Sequence, residues 1–228
     1  AAISIANRLG STVLVYHGLS ERYPYASDRH HRFIMEGAID VARELLERGI
    51  RYAFHLERPG HRHPVLKQLA NQASLVVTEH FPTPPMRAWT VALGNSTRTP
   101  IWLVDTSCLV PMSLSRRRPT RAFRFRQEHQ EEREERLLRS WLESVPEQSP
   151  DDSTLPFEPI PISDLSENEL DQLIASCSID HSVPPINYTR GGSIAGYERW
   201  RTFQRKELLS YHRTRNNPLA NGCSRMSA

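Results

Sequence analysis

Along residues 1–110 the apolar positions switch repeatedly between helical and strand periods. Ala1 to Leu9 reads as the end of a helix stopped by Gly10. Ser11-Thr-Val-Leu-Val-Tyr-His17 is a buried-strand run, followed by a polar loop and a long helix from Asp28 to Arg48. In that helix Phe33, Ile34, Gly37, Ala38, Val41, Leu45 and Leu46 fall at helical spacing. Asp28 supplies an N-cap residue and Gly49 a stop. Strands follow at 51–56, 74–78 and 101–105, separated by helices at 63–72 and 85–93. Strands alternating with helices predict an α/β fold: a parallel, Rossmann-like sheet flanked by helices.

The second half is different. Residues 120–142 form a charged helical stretch that carries Phe123, Phe125, Leu137, Leu138, Trp141 and Leu142. Five prolines between Pro146 and Pro161 then resist helix and predict an extended path. A short helix spans Ser163 to Ser176, where Ser166 and Glu169 make a capping box. After a break at Asp180-His-Ser-Val-Pro-Pro-Ile, a final helix runs from Gly192 to His212, before a turn at Asn217-Pro218 and the first residues of an all-α domain. No strand precedes the first helix, although doubly wound folds place their first strand in the middle of the sheet. The expectation is a fragment or a truncated chain whose strands at 12–17 and 100–104 face a gap.

Composition narrows the class. The chain has 228 residues, 38% hydrophobic and 24% charged, enough for one sizeable core. No window approaches the ~18 apolar residues of a membrane span, and the N-terminus lacks the pattern of a signal peptide. Cys108, Cys177 and Cys223 have no metal-like or redox-like spacing, which predicts a reducing cytoplasm. The net charge of +3 conceals a segregation. Residues 1–142 hold 21 Lys+Arg against 14 Asp+Glu; residues 143–189 hold ten acids and no Lys or Arg; residues 190–228 hold eight bases and two acids. Such blocks mark surfaces for polyanions or parts of one chain that embrace each other. The domains read as 1–142, an α/β domain without its first strand; 143–190, an acidic proline-rich linker with a short helix; and 191–228, the start of a helical domain.

Candidate chemistry is sparse. His30-His31 and His61-x-His63 lack a third ligand at helical spacing and sit beside arginines, so no metal site is assigned. Tyr23 to Asp28 follows the first strand, where parallel sheets place ligand loops, and reads equally as a turn capping the helix. Thr78 to Pro85 lies on the same edge and is either a rigid binding edge or a plain loop. At the C-terminus the small hydroxyl residues Ser224 and Ser227 flank Arg225. They suit an anion such as a pyrophosphate, or a simple N-capping turn. No Gly-rich phosphate loop and no Ser-His-Asp order occurs.

Gly191-Gly, Ala195, Trp200, Phe203, Leu208, Tyr211, Arg215, Pro218 and Gly222-Cys-Ser-Arg-Met-Ser227 resemble the opening of the FAD-binding domain of DNA photolyases and cryptochromes. Tyr25-Ala-Ser-Asp-Arg-His-His-Arg-Phe33, Val77-Thr-Glu-His-Phe-Pro82 and Asp180-His-Ser-Val-Pro-Pro185 are similar to a bacterial branch close to class II photolyases. The resemblance implies FAD as cofactor, DNA as partner and light-driven splitting of pyrimidine dimers by the parent protein. It matches Tyr211 to a tyrosine against the flavin cofactor, and Cys223, Ser224, Arg225, Met226 and Ser227 to the loop that holds the FAD phosphates. Cys223 stands where many members have Thr, and Met226 where they have Leu. It assigns no catalytic residue and no antenna chromophore, and Trp89, Trp102, Trp141 and Trp200 match none of the family's electron-transfer tryptophans. The chain alone is expected to be inactive. The alternatives are a cryptochrome-like photoreceptor without repair and a non-catalytic nucleotide-binding α/β module.

Overall fold

The computed structural model describes residues 1–115, 120–140, 143–150, 152–220 and 222–224. In chain order they form α1 (Ala2–Leu9), β1 (Leu14–Leu19), α2 (Asp28–Glu47), β2 (Arg51–Leu56), α3 (Val65–Gln72), β3 (Val76–Glu79), α4 (Met86–Ser96), β4 (Ile101–Val104), α5 (Ala122–Glu128), α6 (Gln130–Leu138), α7 (Glu167–Ala175), α8 (Ser193–Lys206) and α9 (Tyr211–Thr214). Single 3-10 turns lie at Met112–Leu114, Ile162–Asp164 and Leu208–Ser210. No helix among the described residues is long and apolar enough to cross a membrane.

The fold is α/β with parallel strands, as the alternating pattern predicts. β1 pairs with β2 and β3 with β4, both in parallel register, and no further strand among the described residues extends either pair. The strand expected at 100–104, β4, finds its partner in β3.

By their contacts the residues fall into two compact units: Ala1–Val13 with Pro64–Gln148 and Ser153–Phe157, and Leu14–His63 with Ser149–Asp152 and Glu158–Ala228. In the first unit Asn7 of α1 ties down the proline-rich segment: its amide donates to the Val145 carbonyl at 2.8 Å and its carbonyl accepts from Glu147 N–H at 3.1 Å. Thr99 Oγ1 donates to the Ala70 carbonyl at 2.6 Å and joins the start of β4 to α3. The helix expected over 120–142 breaks at His129, whose φ of −114° leaves the helical range. Its buried ring reaches Ser115 Oγ at 3.2 Å and Glu132 at 3.1 Å, so side-chain partners hold the break. Trp141 and Leu142 lie outside the described residues.

The second unit is organised by α2. Leu19, Phe54 and Leu56 of the β1–β2 pair cluster with Met35, Ala38, Ile39 and Ala42 of α2, and with Ile162, Leu170, Ile174 and Cys177 of the acidic segment. The core face of α2 therefore runs through Met35 and Ile39. Phe33, Val41 and Leu46, expected on it, are exposed, because sheet and acidic segment approach from a neighbouring side of the helix. Ile160 N–H donates to the Phe54 carbonyl at 3.0 Å and sets the proline-rich segment against β2. The capping box forms as predicted: Ser166 Oγ accepts from Glu169 N–H, and Glu169 Oε2 from Ser166 N–H at 2.8 Å. Arg32 of α2 pairs with Asp171 at 2.7 Å and with Glu167, while Arg43 donates to the Ser163 carbonyl at 3.1 Å. The segregated charges thus meet each other within one chain.

α2 also builds the start of α8. Asp40, buried, accepts Ile194 N–H on Oδ2 at 3.1 Å and Arg190 Nη2 on Oδ1 at 3.3 Å; Glu36 Oε2 accepts Gly191 N–H at 2.7 Å. A carboxylate from another helix therefore does the work of an N-cap side chain, where α8 has only Gly192. Both glycines are required. A Cβ at Gly191 would stand 2.1 Å from the Phe33 carbonyl oxygen; one at Gly192, where φ is +106°, would stand 2.2 Å from Asp40 Oδ2.

Asp40→Ala removes a cap and leaves the Ile194 N–H and the Arg190 guanidinium without their acceptor, for an expected loss of about 0.5–2 kcal/mol. Gly192→Ala is expected to destabilise as well. Urea unfolding of each variant checks this, and an unchanged midpoint for Asp40→Ala would contradict the capping role.

Candidate functional site

In parallel α/β sheets ligands bind beyond the C-terminal ends of the strands. In the second unit the chain itself fills that region. Glu21, after β1, is buried; its Oε1 accepts Arg62 Nε at 2.6 Å and its Oε2 accepts Ser178 N–H at 2.6 Å. Glu57, after β2, accepts from Ser20 Oγ and Arg22. The Tyr23–Asp28 loop works as a cap for α2. Asp28 N–H donates to the Asp180 carbonyl at 3.4 Å and Arg29 N–H to that of Val183 at 3.2 Å, while Asp180 N–H donates to Ala26 at 3.0 Å. A helix N-terminus that would attract an anion is thereby occupied by carbonyls of the acidic segment. His181 closes the contact: Nδ1 donates to Asp28 Oδ1 at 2.7 Å and Nε2 to the Cys177 carbonyl at 3.0 Å. Both partners are acceptors, so the two bonds are made together when both ring nitrogens carry hydrogen. The hydrogen bond to Asp28 raises the pKa of His181 above the usual histidine value.

The other histidines are used in pairs. His30 donates to the Tyr25 carbonyl at 3.0 Å. His31, fully buried, stacks on Tyr23 with ring centroids 5.7 Å apart, and burial lowers its pKa, which keeps it neutral. His55 Nε2 donates to the His61 carbonyl at 3.2 Å, so its Nδ1 accepts from Tyr16 O–H at 3.1 Å. Gly18 makes room for this pair, since a Cβ there would stand 2.6 Å from the Tyr16 hydroxyl. Burial and the nearby Glu57 push Tyr16 up to about 12. No group of three or more His, Cys, Asp and Glu side chains among the described residues is arranged to hold a metal ion.

At the ends of β3 and β4, Glu79 accepts from Ser107 Oγ at 2.5 Å and Thr106 Oγ1 at 2.7 Å. Asp105 accepts the N–H groups of Met112 at 3.1 Å and Cys108 at 3.0 Å. These bonds hold both carboxyls below their ordinary pKa values and are local loop closures.

The C-terminal residues singled out in the sequence are gathered on α8 and α9. Tyr211 opens α9 and meets Phe203 of α8 edge-on, with centroids 5.5 Å apart, while Phe203 stacks on Trp200 at 5.6 Å. Tyr211 keeps part of its ring exposed. Cys223 and Ser224 return to the same helix: Arg199 Nε donates to the Ser224 carbonyl at 3.1 Å, and its Nη2 to that of Cys223. Gly222 lies against Thr214, one turn beyond Tyr211; a Cβ there would stand 2.6 Å from Thr214 Oγ1. Arg225, Met226 and Ser227 lie outside the described residues. Arg199, Glu207 and Thr214 were not singled out in the sequence, because nothing in their spacing separates them from other polar residues of a charged helix.

No family model matches the chain. Over 227 residues, 99% of its length, it is 26% identical to the deoxyribodipyrimidine photo-lyase of Methanothermobacter thermautotrophicus (strain Delta H). The chain is similar to that photo-lyase along nearly its whole length. It spans about half of that protein, 47% of its length, and the similarity takes in the α/β part and the α8–α9 region alike.

The His181 contact predicts a pH dependence. A raised folded-state pKa contributes stability that is complete below the unfolded value, near ~6.5, and is lost as pH rises through the folded value. The docking of residues 177–184 on α2 should therefore loosen as pH rises above the ordinary histidine range. His181→Gln should remove that dependence. Amide exchange at Asp28 and Arg29 against pH checks it, and identical profiles in the two proteins would contradict it.

Proposed function

We propose that this chain is part of a photolyase-like flavoprotein close to the class II photolyases, whose parent splits cyclobutane pyrimidine dimers in DNA with light and FAD. The observation that carries the reading is similarity to a photo-lyase along 99% of the chain, including the C-terminal motif. Residues 1–142 then correspond to the α/β domain, 143–190 to the linker and 191–228 to the start of the FAD-binding domain, in a cytoplasmic protein.

Tyr211 offers a partly exposed ring to the flavin cofactor, and the Gly222–Ser224 backbone would stand at its phosphates; Arg225, Met226 and Ser227 complete the matched motif and lie outside the described residues. Cys223 lacks the hydroxyl that Thr supplies in many members, which leaves its backbone donor. Bound FAD would supply light-driven electron transfer to the dimer. Against the nucleotide-binding α/β reading stand Glu21, Arg62 and Ser178, which occupy the space beyond β1 in the second unit.

Charge-assisted hydrogen bonds to phosphate contribute about 1.5–3 kcal/mol each when sheltered, and the described residues reach only one end of the cofactor. The chain alone should therefore bind FAD at about millimolar strength, near −4 kcal/mol. The purified protein should be colourless. Added FAD should shift NMR resonances of Tyr211 and residues 222–224; shifts confined to the Glu21–Arg62 region would overturn the site.

Basic residues 190–228 should give weak binding to duplex DNA, blind to sequence and to damage. Affinity should fall roughly tenfold or more between ~50 and ~200 mM salt, as for about two or three phosphate contacts. Fluorescence anisotropy at the two salts checks this, and tight binding unaffected by salt would contradict it.

A further inference from the structure

We infer that Arg199, held by Glu207, is the positioning residue of the loop assigned to the cofactor phosphates: it fixes the Cys223–Ser224 backbone so that the loop meets a diphosphate already ordered. The inference rests on the functional reading above and adds to it a residue outside the matched motif. Helix α8 ends at Lys206, and Glu207, with φ −122° and ψ −28°, leaves the helical path. Its carboxylate turns back to Arg199, with Oε2 at 2.9 Å from Nη2 and Oε1 at 3.4 Å from Nη1. The guanidinium, oriented by this two-point contact, spends Nε on the Ser224 carbonyl at 3.1 Å and shares Nη2 with the Cys223 carbonyl. Both side chains are half-buried, with 27% and 21% of their surface exposed, which limits competition by water at the Arg199–Glu207 pair.

The charge of Arg199 is already matched by Glu207, so it acts through the loop and not as a phosphate ligand. A lysine cannot replace it, since one ammonium does not present the planar fork that spans a carboxylate and two carbonyls. Gly222 against Thr214 anchors the preceding residue of the loop. A loop ordered before binding avoids the entropy of ordering it on the ligand.

The test uses the whole chain and three variants, Arg199→Met, Arg199→Lys and Glu207→Gln, with amide exchange and NMR titration by ADP and by FAD as readouts. Arg199→Met should speed exchange at Gly222–Ser224 and weaken both nucleotides about tenfold, the scale of one lost charge-assisted hydrogen bond. Arg199→Lys should not restore either property, and Glu207→Gln should fall between. Exchange in α2 should stay at the wild-type rate in all three, which reports intact folding. Unchanged exchange at 222–224 in Arg199→Met would overturn the inference, as would a loosened loop with wild-type nucleotide affinity. If the loop loosens but neither nucleotide shifts 222–224 in the wild type, the clamp stands and the cofactor reading fails.

Discussion

A buried carboxylate on α2 decides where the C-terminal part of this chain goes. Asp40 caps α8 through Ile194 N–H and meets Arg190, while the adjoining glycines let backbone approach backbone at a distance no side chain allows. The start of α8 fixed in this way sets the positions of Arg199 and Phe203 one to three turns later. Through them it sets the Cys223–Ser224 backbone and the Tyr211 ring. The described elements of the candidate cofactor site are therefore referred back to one helix, whose other surfaces carry β2, α7 and the Ile162–Asp164 turn.

Charge segregation along the sequence has its explanation in the same helix. Arg32 and Arg43 on α2 take up the acidic segment through Glu167, Asp171 and the Ser163 carbonyl. Asp28 at its N-terminus takes the imidazole ring of His181. Exposed pairs of this kind contribute little individually. Their effect lies in direction: they determine which surface of α2 the linker covers, while Ile162, Leu170 and Ile174 supply the apolar burial. One result is that the sheet edge commonly open to ligands in α/β proteins is closed by the chain's own linker.

What the sequence made legible was local. Gly10 adopts the left-handed conformation of a helix stop, the Ser166–Glu169 box forms, and β2 occupies Arg51–Leu56 as its pattern predicts. Gly191-Gly was legible as a motif, although its steric reason needs Phe33 and Asp40, more than 150 residues away in sequence. The breaks at His129 and Glu207 were not legible, because each is held by side-chain partners that helical periodicity does not encode. The same holds for the face of α2, which is chosen by what packs on it. Tyr211, Cys223 and Ser224 entered through resemblance to a motif; Arg199, which organises two of them, has no signature apart from its contacts.

The most direct test of the account is a structure of the chain with a dinucleotide bound. The account predicts FAD phosphates within hydrogen-bonding distance, about 3 Å, of backbone N–H groups in the 222–224 segment, with the Tyr211 ring against the cofactor. Phosphates seated instead at the C-terminal ends of β1 and β2, with the Glu21–Arg62 pair opened to receive them, would contradict it.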